Sequence, residues 1–388
     1  ELLSFIVDNR GKTVPTAPSG HKLIATNCVT NNTLFPVYDK IRYLSEETYQ
    51  TWFRAHPIPG DILFVNKGTP GRVCLVPDPV DFCIAQDMIA LRADESKIYP
   101  KYLFTVLRSR EIQQQIYNTN VGDVIPHFKK QFLDQLLIPI PERSIQESIG
   151  DLYYVLSLKA ERNKKINDNL EQQAQAIYHE RFETVSPNDL PSDWRIVTLG
   201  EVATISNKSF NPLKEPEILL EHYSIPAFDE ARFPVFELST SIKSNKFIID
   251  ASCFMISKLN PTTKRVWKPY CLTGNAVCST EFIVYKAKDQ SITDFLYSVI
   301  DSGSFSDFMC SHVTGSTGSR QRTTPSDTLS YELILPSEDE LAEFQSLVSP
   351  MYAQMRINAI ENDKLKRLRD SLLPKLMSGE IDVSSVHL

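Results

Sequence analysis

The residues of this 388-residue sequence that could do chemistry are arginines and lysines gathered in stretches without aspartate or glutamate. Such stretches cover residues 9–38, 62–77 and 251–280, and further basic residues occur in residues 124–133 and 308–326. Arginine and lysine, interspersed with Asn, Gln, Ser and Thr, can hold phosphate groups and read the edges of bases. Glycine and serine let main-chain amides approach phosphate oxygens closely. The residues that we predict to contact nucleic acid are Arg10, Lys12, Lys22, Lys67, Arg72, Lys129, Lys130, Lys258, Lys264, Arg265, Lys268, Arg320 and Arg322.

The places of these loops favour a functional role more than their charge does. A single basic loop is usually ordinary solvated surface. Here, basic loops recur at matching places in the two halves, after the strand predicted near residue 62 or 254 and before the final strand, near residue 125 or 320. The formal net charge is −7, but residues 1–140 carry 15 basic and 14 acidic groups, whereas residues 184–335 carry 14 and 17. The distribution of charge therefore says more than the total.

Catalytic and metal-binding motifs are absent from the sequence. Gly11-Lys12-Thr13 resembles the end of a phosphate-binding P-loop, but the glycine required five residues earlier is Ile6. His179-Glu180 lacks the second histidine of a zinc-protease helix, and no Asn/Asp-Pro-Pro-Tyr segment of an amino-methyltransferase occurs. We therefore expect no catalytic residue and no metal site.

The composition favours a cytoplasmic location. The seven cysteines contain no Cys-x-x-Cys pair and are expected to be small buried hydrophobic residues in a reducing compartment. No apolar run approaches the ~20 residues of a membrane span, and no signal-peptide pattern opens the chain. Glu1 aligns with Glu201, so the first half lacks the counterpart of Trp194, and we expect a segment before Glu1.

Two long helices are predicted to position the basic loops. Residues 141–183 contain no proline after Pro141, and their seam positions recur every seven residues, as in a helix that packs on another helix. Residues 336–388 repeat this pattern at a constant offset, so that Asn163 and Asn358 coincide. An asparagine in a seam fixes the register of a helix pair. Two unrelated core helices are the alternative. The predicted seam consists of Ile149, Leu156, Asn163, Leu170, Ile177, Phe344, Met351, Asn358, Leu365 and Leu372.

The helices divide the chain into an α+β arrangement of two pseudo-repeated globular parts, residues 1–140 and 184–335. Spacing of apolar residues predicts one helix over residues 99–117 and another over residues 295–309. Strands are predicted at residues 62–65, 84–91, 136–139, 247–249, 254–256, 281–285 and 333–335.

Proline and glycine are expected to shape the second long helix. Pro350 should kink or restart it, with Ser349 as the N-cap. Pro374 and Gly379 should end it.

A family resemblance covers essentially the whole chain. Its carrying segments are residues 60–63 (GDIL), 68–72 (GTPGR), 194–202 (WRIVTLGEV), 256–261 (ISKLNP) with Arg265 and Val266, 279–284 (STEFIV) and 372–381 (LLPKLMSGEI), together with the Leu-Pro entries to both helices. With these segments in this order, the chain resembles the specificity subunit of type I restriction–modification enzymes. The chain departs from the family at its start and in the second half, which lacks the Gly-Asp and Gly-Thr pieces.

The resemblance implies two target-recognition domains, each of which reads one half of a split, asymmetric DNA sequence. The two long helices, antiparallel and coiled-coil-like, would separate these domains and dock two methyltransferase subunits, and restriction/translocase subunits would join the complex. This subunit would be non-catalytic, with S-adenosylmethionine, Mg and ATP held by its partners and no cofactor of its own.

Two other functions remain open from the sequence. A scaffold or inhibitor could use the helix pair to bind protein without reading DNA, which the acidic total permits. The specificity part of a fused nuclease–methyltransferase is disfavoured, because no catalytic segment occurs in these residues.

Overall fold

The computed structural model describes residues 1–119, 126–314 and 321–381. The chain divides into two compact units. Unit 1 comprises Glu1–Arg162 and the chain from Asn362 onward, and unit 2 comprises Asn163–Glu361. Both units mix helices with sheets, so the predicted α+β class is confirmed.

The strands of unit 1 form two sheets, ordered β1-β7-β4-β5 and β3-β2-β6. The first sheet is antiparallel throughout, whereas β2 and β6 run parallel in the second. These strands are β1 (Leu3–Val7), β2 (His21–Ile24), β3 (Arg42–Leu44), β4 (Ile62–Val65), β5 (Val73–Leu75), β6 (Phe82–Ile84) and β7 (Met88–Ala93). The helices are α1 (Glu46–Thr51), α2 (Pro100–Leu107), α3 (Arg110–Asn118) and the first part of α4 (Arg143–Tyr178).

The main sheets of unit 2 are ordered β15-β14-β17-β9 and β10-β13-β16-β11-β12, and the pairs β18-β19 and β20-β8 complete it. Its strands are β8 (Arg195–Thr198), β9 (Ala203–Ile205), β10 (Ser209–Phe210), β11 (Leu219–Tyr223), β12 (Val235–Leu238), β13 (Lys246–Ile248), β14 (Cys253–Ser257), β15 (Val266–Trp267), β16 (Ala276–Ser279), β17 (Phe282–Ala287), β18 (Val313–Thr314), β19 (Arg322–Thr323) and β20 (Glu332–Leu335). Its helices are the remainder of α4, α5 (Leu199–Val202), α6 (Ile225–Ala231), α7 (Thr293–Ile300), α8 (Gly303–Ser311) and α9 (Glu338–Met377), which ends in unit 1.

The two units share one strand plan. The order β9-β17-β14-β15 reproduces β1-β7-β4-β5, and β12-β11-β16 reproduces β3-β2-β6, including its parallel pair. Unit 2 adds β13 and β10 beyond β16. The sequence repeat is therefore also a repeat of topology.

Alternation along the central strand explains the layers of each unit. In β4, Ile62 and Phe64 join the core beneath α2 and α3, whereas Leu63 and Val65 face the second sheet. A strand buried on both faces is a continuous apolar run. β14 divides its side chains in the same way: Phe254 packs toward α7 and Met255 toward the second sheet.

The long helices α4 and α9 have 36 and 40 residues. In unit 2, the Tyr178 ring lies 6.2 Å from the Phe344 ring, whereas Asn167 bonds Asn358. The later residue of α4, Tyr178, thus contacts the earlier residue of α9, Phe344, as in an antiparallel pair. In unit 1, the guanidinium of Arg369 lies over the Tyr153 ring at 5.2 Å, which follows the same order. The helices pair in antiparallel fashion, as predicted.

Serine caps break both helices that were predicted as single elements. Ser109 Oγ accepts a hydrogen bond from the Ile112 amide at 3.3 Å and separates α2 from α3. Ser302 Oγ accepts one from the Phe305 amide at 3.1 Å and separates α7 from α8. A side chain that caps a new helix ends the preceding one, although the apolar spacing continues.

Two predicted strands also differ from the structure. Residues 84–91 are divided between β6 and β7, because Gln86 adopts a left-handed conformation with φ of 62°. Residues 136–139 pair with no strand of the described chain, and the side-chain amide of Gln115 bonds the main chain of Leu137 instead. The corresponding segment of unit 2, β20, pairs with β8.

The helix α9 neither restarts at Pro350 nor ends at Pro374. Pro350 and Ser349 both lie inside the continuous helix, so Ser349 is not an N-cap. Proline removes one helical hydrogen bond, but the neighbouring Val348 and Tyr352 are buried in the unit 2 core and hold the helix there. The helix also continues past Pro374 to Met377, and Gly379 follows with φ of +75°.

Candidate nucleic-acid interface

Main-chain hydrogen bonds bring together the two basic loops of unit 1. The Phe128 amide donates to the Asn66 carbonyl at 2.8 Å, and the Gly68 amide donates to the Pro126 carbonyl at 3.0 Å. The Asn66 amide in turn donates to the Asp87 carbonyl at 2.8 Å. Residues 66–68, 87 and 126–128 thus form what we call the unit 1 junction.

The same bonds recur in unit 2. The Thr323 amide donates to the Lys258 carbonyl at 3.1 Å, and the Asn260 amide donates to the Gln321 carbonyl at 2.9 Å. The Lys258 amide donates to the Glu281 carbonyl at 2.9 Å. Residues 258–260, 281 and 321–323 form the unit 2 junction. The basic loops, which were predicted as separate segments of the sequence, are therefore adjacent in both units.

A small cationic cluster surrounds one carboxylate of unit 1. Arg10 makes two 2.8 Å hydrogen bonds to Asp8, and Lys130 lies 3.4 Å from the same carboxylate. Arg54 donates to the Asp8 carbonyl at 3.1 Å. The Arg10 hydrogen bond holds the pKa of Asp8 well below its usual range, so Asp8 stays ionised. Three cations against one anion leave this surface positive.

The other predicted cations of unit 1 differ in their surroundings. Lys22 pairs with Asp81, and its ammonium lies 4.5 Å from the centre of the Tyr38 ring. Four others form no ion pair within the described residues; of these, Lys12, Lys67 and Lys129 are exposed and Arg72 is half-buried.

In unit 2, acids from distant segments meet most of the predicted cations. Lys264 lies 2.8 Å from Asp301, and Lys268 pairs with Asp294. A second type of pair is bidentate: Arg265 bonds Asp229 at 2.6 and 2.8 Å, and Arg322 bonds Glu281 at 3.0 Å twice. Lys258 is half-buried and forms no ion pair within the described residues, whereas Arg320 lies outside them.

Sequence reasoning therefore missed two kinds of residue. Arg54 was overlooked because it is isolated in the sequence, and only the fold places it beside Arg10. The acids Asp229 and Glu281 were overlooked because they lie in other segments of the sequence, and the fold brings them against Arg265 and Arg322.

Both seam asparagines are buried on the helix pair of unit 2, and each forms a hydrogen bond with a polar side chain of the other helix. Asn163 Nδ2 donates to Glu361 at 2.6 Å, and Asn358 Nδ2 donates to Asn167 at 2.8 Å. Asn163 and Asn358 are 1% and 4% exposed. Ile149 and Phe344 are also buried, whereas the half-buried seam positions are Leu156, Leu170, Ile177, Met351, Leu365 and Leu372.

Within the described residues, no group of His, Cys, Asp and Glu side chains is arranged to hold a metal, and no helix has the length and apolar character of a membrane span. All seven cysteines are free thiols; Cys271 and Cys310 are half-buried, and the other five are buried.

Comparisons with known proteins agree with the geometry. Residues 16–172 match the family described as Type I restriction modification DNA specificity domain. The type I restriction enzyme MjaIX specificity subunit of Methanocaldococcus jannaschii is 22% identical, over 84% of this chain and 79% of its own. The HindI specificity subunit of Haemophilus influenzae is 22% identical, over 83% and 86%. The crystal structure of a type I restriction-modification system S subunit from M. genitalium covers 92% of both chains with a TM-score of 0.56 at 16% identity, so it shares the fold.

By these comparisons the chain is similar to the DNA-specificity subunits of type I restriction systems. The similarity to type I specificity subunits, which extends over most of the chain, is the one that the sequence resemblance predicted.

Proposed function

We propose that this chain recognises a bipartite, asymmetric duplex DNA sequence, with unit 1 reading one half and unit 2 the other. The observation that carries this proposal is the junction that recurs in both units with the same main-chain hydrogen bonds. A repeated scaffold whose loops differ in side chains is suited to two reading modules of different specificity.

The side chains at equivalent junction positions support asymmetry. Asn66 in unit 1 takes the place of Lys258 in unit 2, and His127 takes the place of Arg322. These side chains differ in charge and in hydrogen-bond donors. Loops held by different side chains would present different groups to DNA. A good bidentate contact discriminates bases by about 1–3 kcal/mol, which is enough for such loops to select different half-sites.

Phosphate contacts would supply the sequence-independent part of binding. The exposed Lys12, Lys67 and Lys129, together with the cluster around Asp8, are the cations of unit 1 best placed for this role. If the complex neutralises about eight phosphates, log affinity should fall with log salt at a slope near −7.

The long helices would dock two methyltransferase subunits, and restriction/translocase subunits would complete the assembly. Large apolar side chains are exposed on these helices in both units: Val155 and Leu368 are 48% and 46% exposed in unit 1, and Ile166 and Ile357 are 46% and 56% exposed in unit 2. Exposed apolar surface is typical of protein-binding faces. In this proposal the partners hold S-adenosylmethionine, Mg and ATP, and this chain holds no cofactor.

Domain exchange tests the proposal directly. Residues 184–335 would be replaced by the corresponding segment of a relative with a known target, and the methylated sequence would be mapped. We expect one half of the recognised sequence to change and the other half to persist. The reciprocal exchange of residues 1–140 is the matched control and should change the opposite half. If either exchange changed both halves of the recognised sequence, the proposal that each unit recognises one half would be contradicted.

A protein-binding scaffold or inhibitor is the second candidate. The pairing of Arg265, Lys268 and Arg322 with acids favours it, because paired cations attract phosphate less strongly. Binding of the chain, assembled with a methyltransferase partner, to specific and scrambled duplexes separates the two functions. Equal affinity for both duplexes would favour the scaffold.

A further inference from the structure

Each junction carries a side-chain clamp, and the two clamps differ chemically. In unit 2 the clamp is ionic: Arg322 Nε and Nη2 donate to the two carboxylate oxygens of Glu281, both at 3.0 Å. Glu281 follows β16, whereas Arg322 begins β19, so the pair ties together two segments that are far apart in sequence.

In unit 1 the clamp is a buried amide. Asn66 is 1% exposed, and its Nδ2 donates to the Phe128 carbonyl at 3.1 Å. The Asn66 carbonyl receives the Phe128 amide, so Asn66 and Phe128 are joined by both a main-chain and a side-chain hydrogen bond. The Phe128 ring is buried 5.4 Å from the Phe64 ring, which anchors this contact to the core.

We propose that Glu281 with Arg322, and Asn66, are positioning residues that set the spacing of the paired loops, so that each determines sequence specificity in its own half-site without contacting a base. This inference rests on the proposed function and assigns Arg322 a role different from the DNA contact predicted from sequence.

The bidentate geometry supports a clamp over a DNA contact. The planar fork of arginine matches a carboxylate with two parallel hydrogen bonds, and such a pair fixes direction as well as distance. The Glu281 main-chain carbonyl also accepts the Lys258 amide, so a shift of Glu281 would move the loop that carries Lys258. Clamping therefore acts on both loops of the junction at once.

The two roles predict opposite signs for the Glu281→Ala change. If Arg322 binds DNA directly, removal of a carboxylate frees the guanidinium and lowers repulsion of phosphates, so DNA affinity should rise or stay constant. If the pair is a clamp, Glu281→Ala must weaken specific binding as Arg322→Ala does. The double variant should then lose no more than Arg322→Ala alone, because the contribution of Glu281 is already lost with its partner.

The test uses the full chain assembled with its methyltransferase partner and a duplex carrying the sequence that this complex methylates. Affinities would be measured for the cognate duplex and for duplexes mutated in either half-site. For Glu281→Ala, Arg322→Ala and the double variant we expect about a tenfold loss of discrimination at the half read by unit 2. Discrimination at the other half should be unchanged. The charge exchange Glu281→Arg with Arg322→Glu should restore part of the loss.

Asp229→Ala is the matched control, since Asp229 forms a similar bidentate pair with Arg265 but lies on α6, outside the junction. It should leave discrimination intact. In unit 1, Asn66→Leu should reduce discrimination only at the half-site that unit 1 reads.

Three results separate the possible failures. Tighter or unchanged specific binding by Glu281→Ala, beside a loss in Arg322→Ala, would overturn the clamp and restore a direct DNA contact. Equal losses at both half-sites would show general destabilisation and also overturn it. A wild-type complex that binds cognate and scrambled duplexes equally would instead refute the proposed function.

Discussion

Replacement of Gly150 by alanine should destabilise unit 1, although alanine is the better helix former. Gly150 lies in α4 where this helix crosses the start of α2. A Cβ atom added at Gly150 would lie 2.7 Å from the Tyr102 main-chain nitrogen and 3.0 Å from the Lys101 carbonyl carbon. Both atoms are backbone, so a side-chain rotation cannot relieve the overlap.

Two effects of opposite sign decide the magnitude. Alanine in place of a helical glycine stabilises a helix by about 0.8–1.0 kcal/mol. Overpacking of a close contact costs about 1–3 kcal/mol, and more when backbone must move. Because the displaced atoms belong to α2, whose Tyr102 and Leu103 are buried in the unit 1 core, we expect the upper part of that range. The net result is a loss of about 1–2 kcal/mol.

Urea unfolding can be monitored through hydrogen exchange of the amides of α2 and of the unit 1 part of α4. This readout measures the loss of stability in unit 1 separately from unit 2. Gly303→Ala is the control, because Gly303 also lies in a helix but its added Cβ meets no atom within 4 Å. Since no overlap opposes the helix preference of alanine there, this change should stabilise unit 2, by up to about 1 kcal/mol. Stabilisation by Gly150→Ala would show that α4 does not pack this closely on α2.

Three further predictions follow from buried and exposed groups. Phe344→Ala should destabilise unit 2 by about 3–5 kcal/mol in urea unfolding, since its ring is buried among Tyr178, Phe182 and Phe295; a loss under 1 kcal/mol would contradict that packing. Burial raises the pKa of Asp301 to about 6. The folded state then keeps a proton that the unfolded chain releases near pH 4, so the stability of unit 2 should fall as pH rises from about 4 to 6. Asp301→Asn should remove this slope and stabilise unit 2 above pH 6 by about 3 kcal/mol; an unchanged slope would show that another group titrates. Ile357→Asp should weaken association with the methyltransferase about tenfold in sedimentation without changing the melting temperature, because a charge would enter an apolar contact; full association would remove Ile357 from the docking face.

Much of the architecture was readable from the sequence because it depends on local pattern. The seven-residue spacing and the coincident asparagines predicted two paired helices, and continuous apolar runs predicted strands such as β4 and β14. The breaks were harder, since a single capping serine at Ser109 or Ser302 outweighs an apolar spacing that continues across it. The predicted restart at Pro350 was wrong for the converse reason, because burial of its neighbours outweighs a missing hydrogen bond.

The candidate interface was predictable only in part. Loop composition identified the segments that form both junctions, and their matching places in the two halves pointed to pairing. The electrostatic environment could not be predicted, because it depends on acids brought in by the fold. Arg265 and Arg322 face Asp229 and Glu281 across 36 and 41 residues of sequence.

Mapping of methylated bases in cells that contain the complex of this chain with its methyltransferase tests the central claim most directly. We predict one asymmetric sequence of two specified parts separated by an unspecified spacer, which disappears when this chain is deleted. A continuous sequence, or a methylation pattern that persists without the chain, would contradict the account.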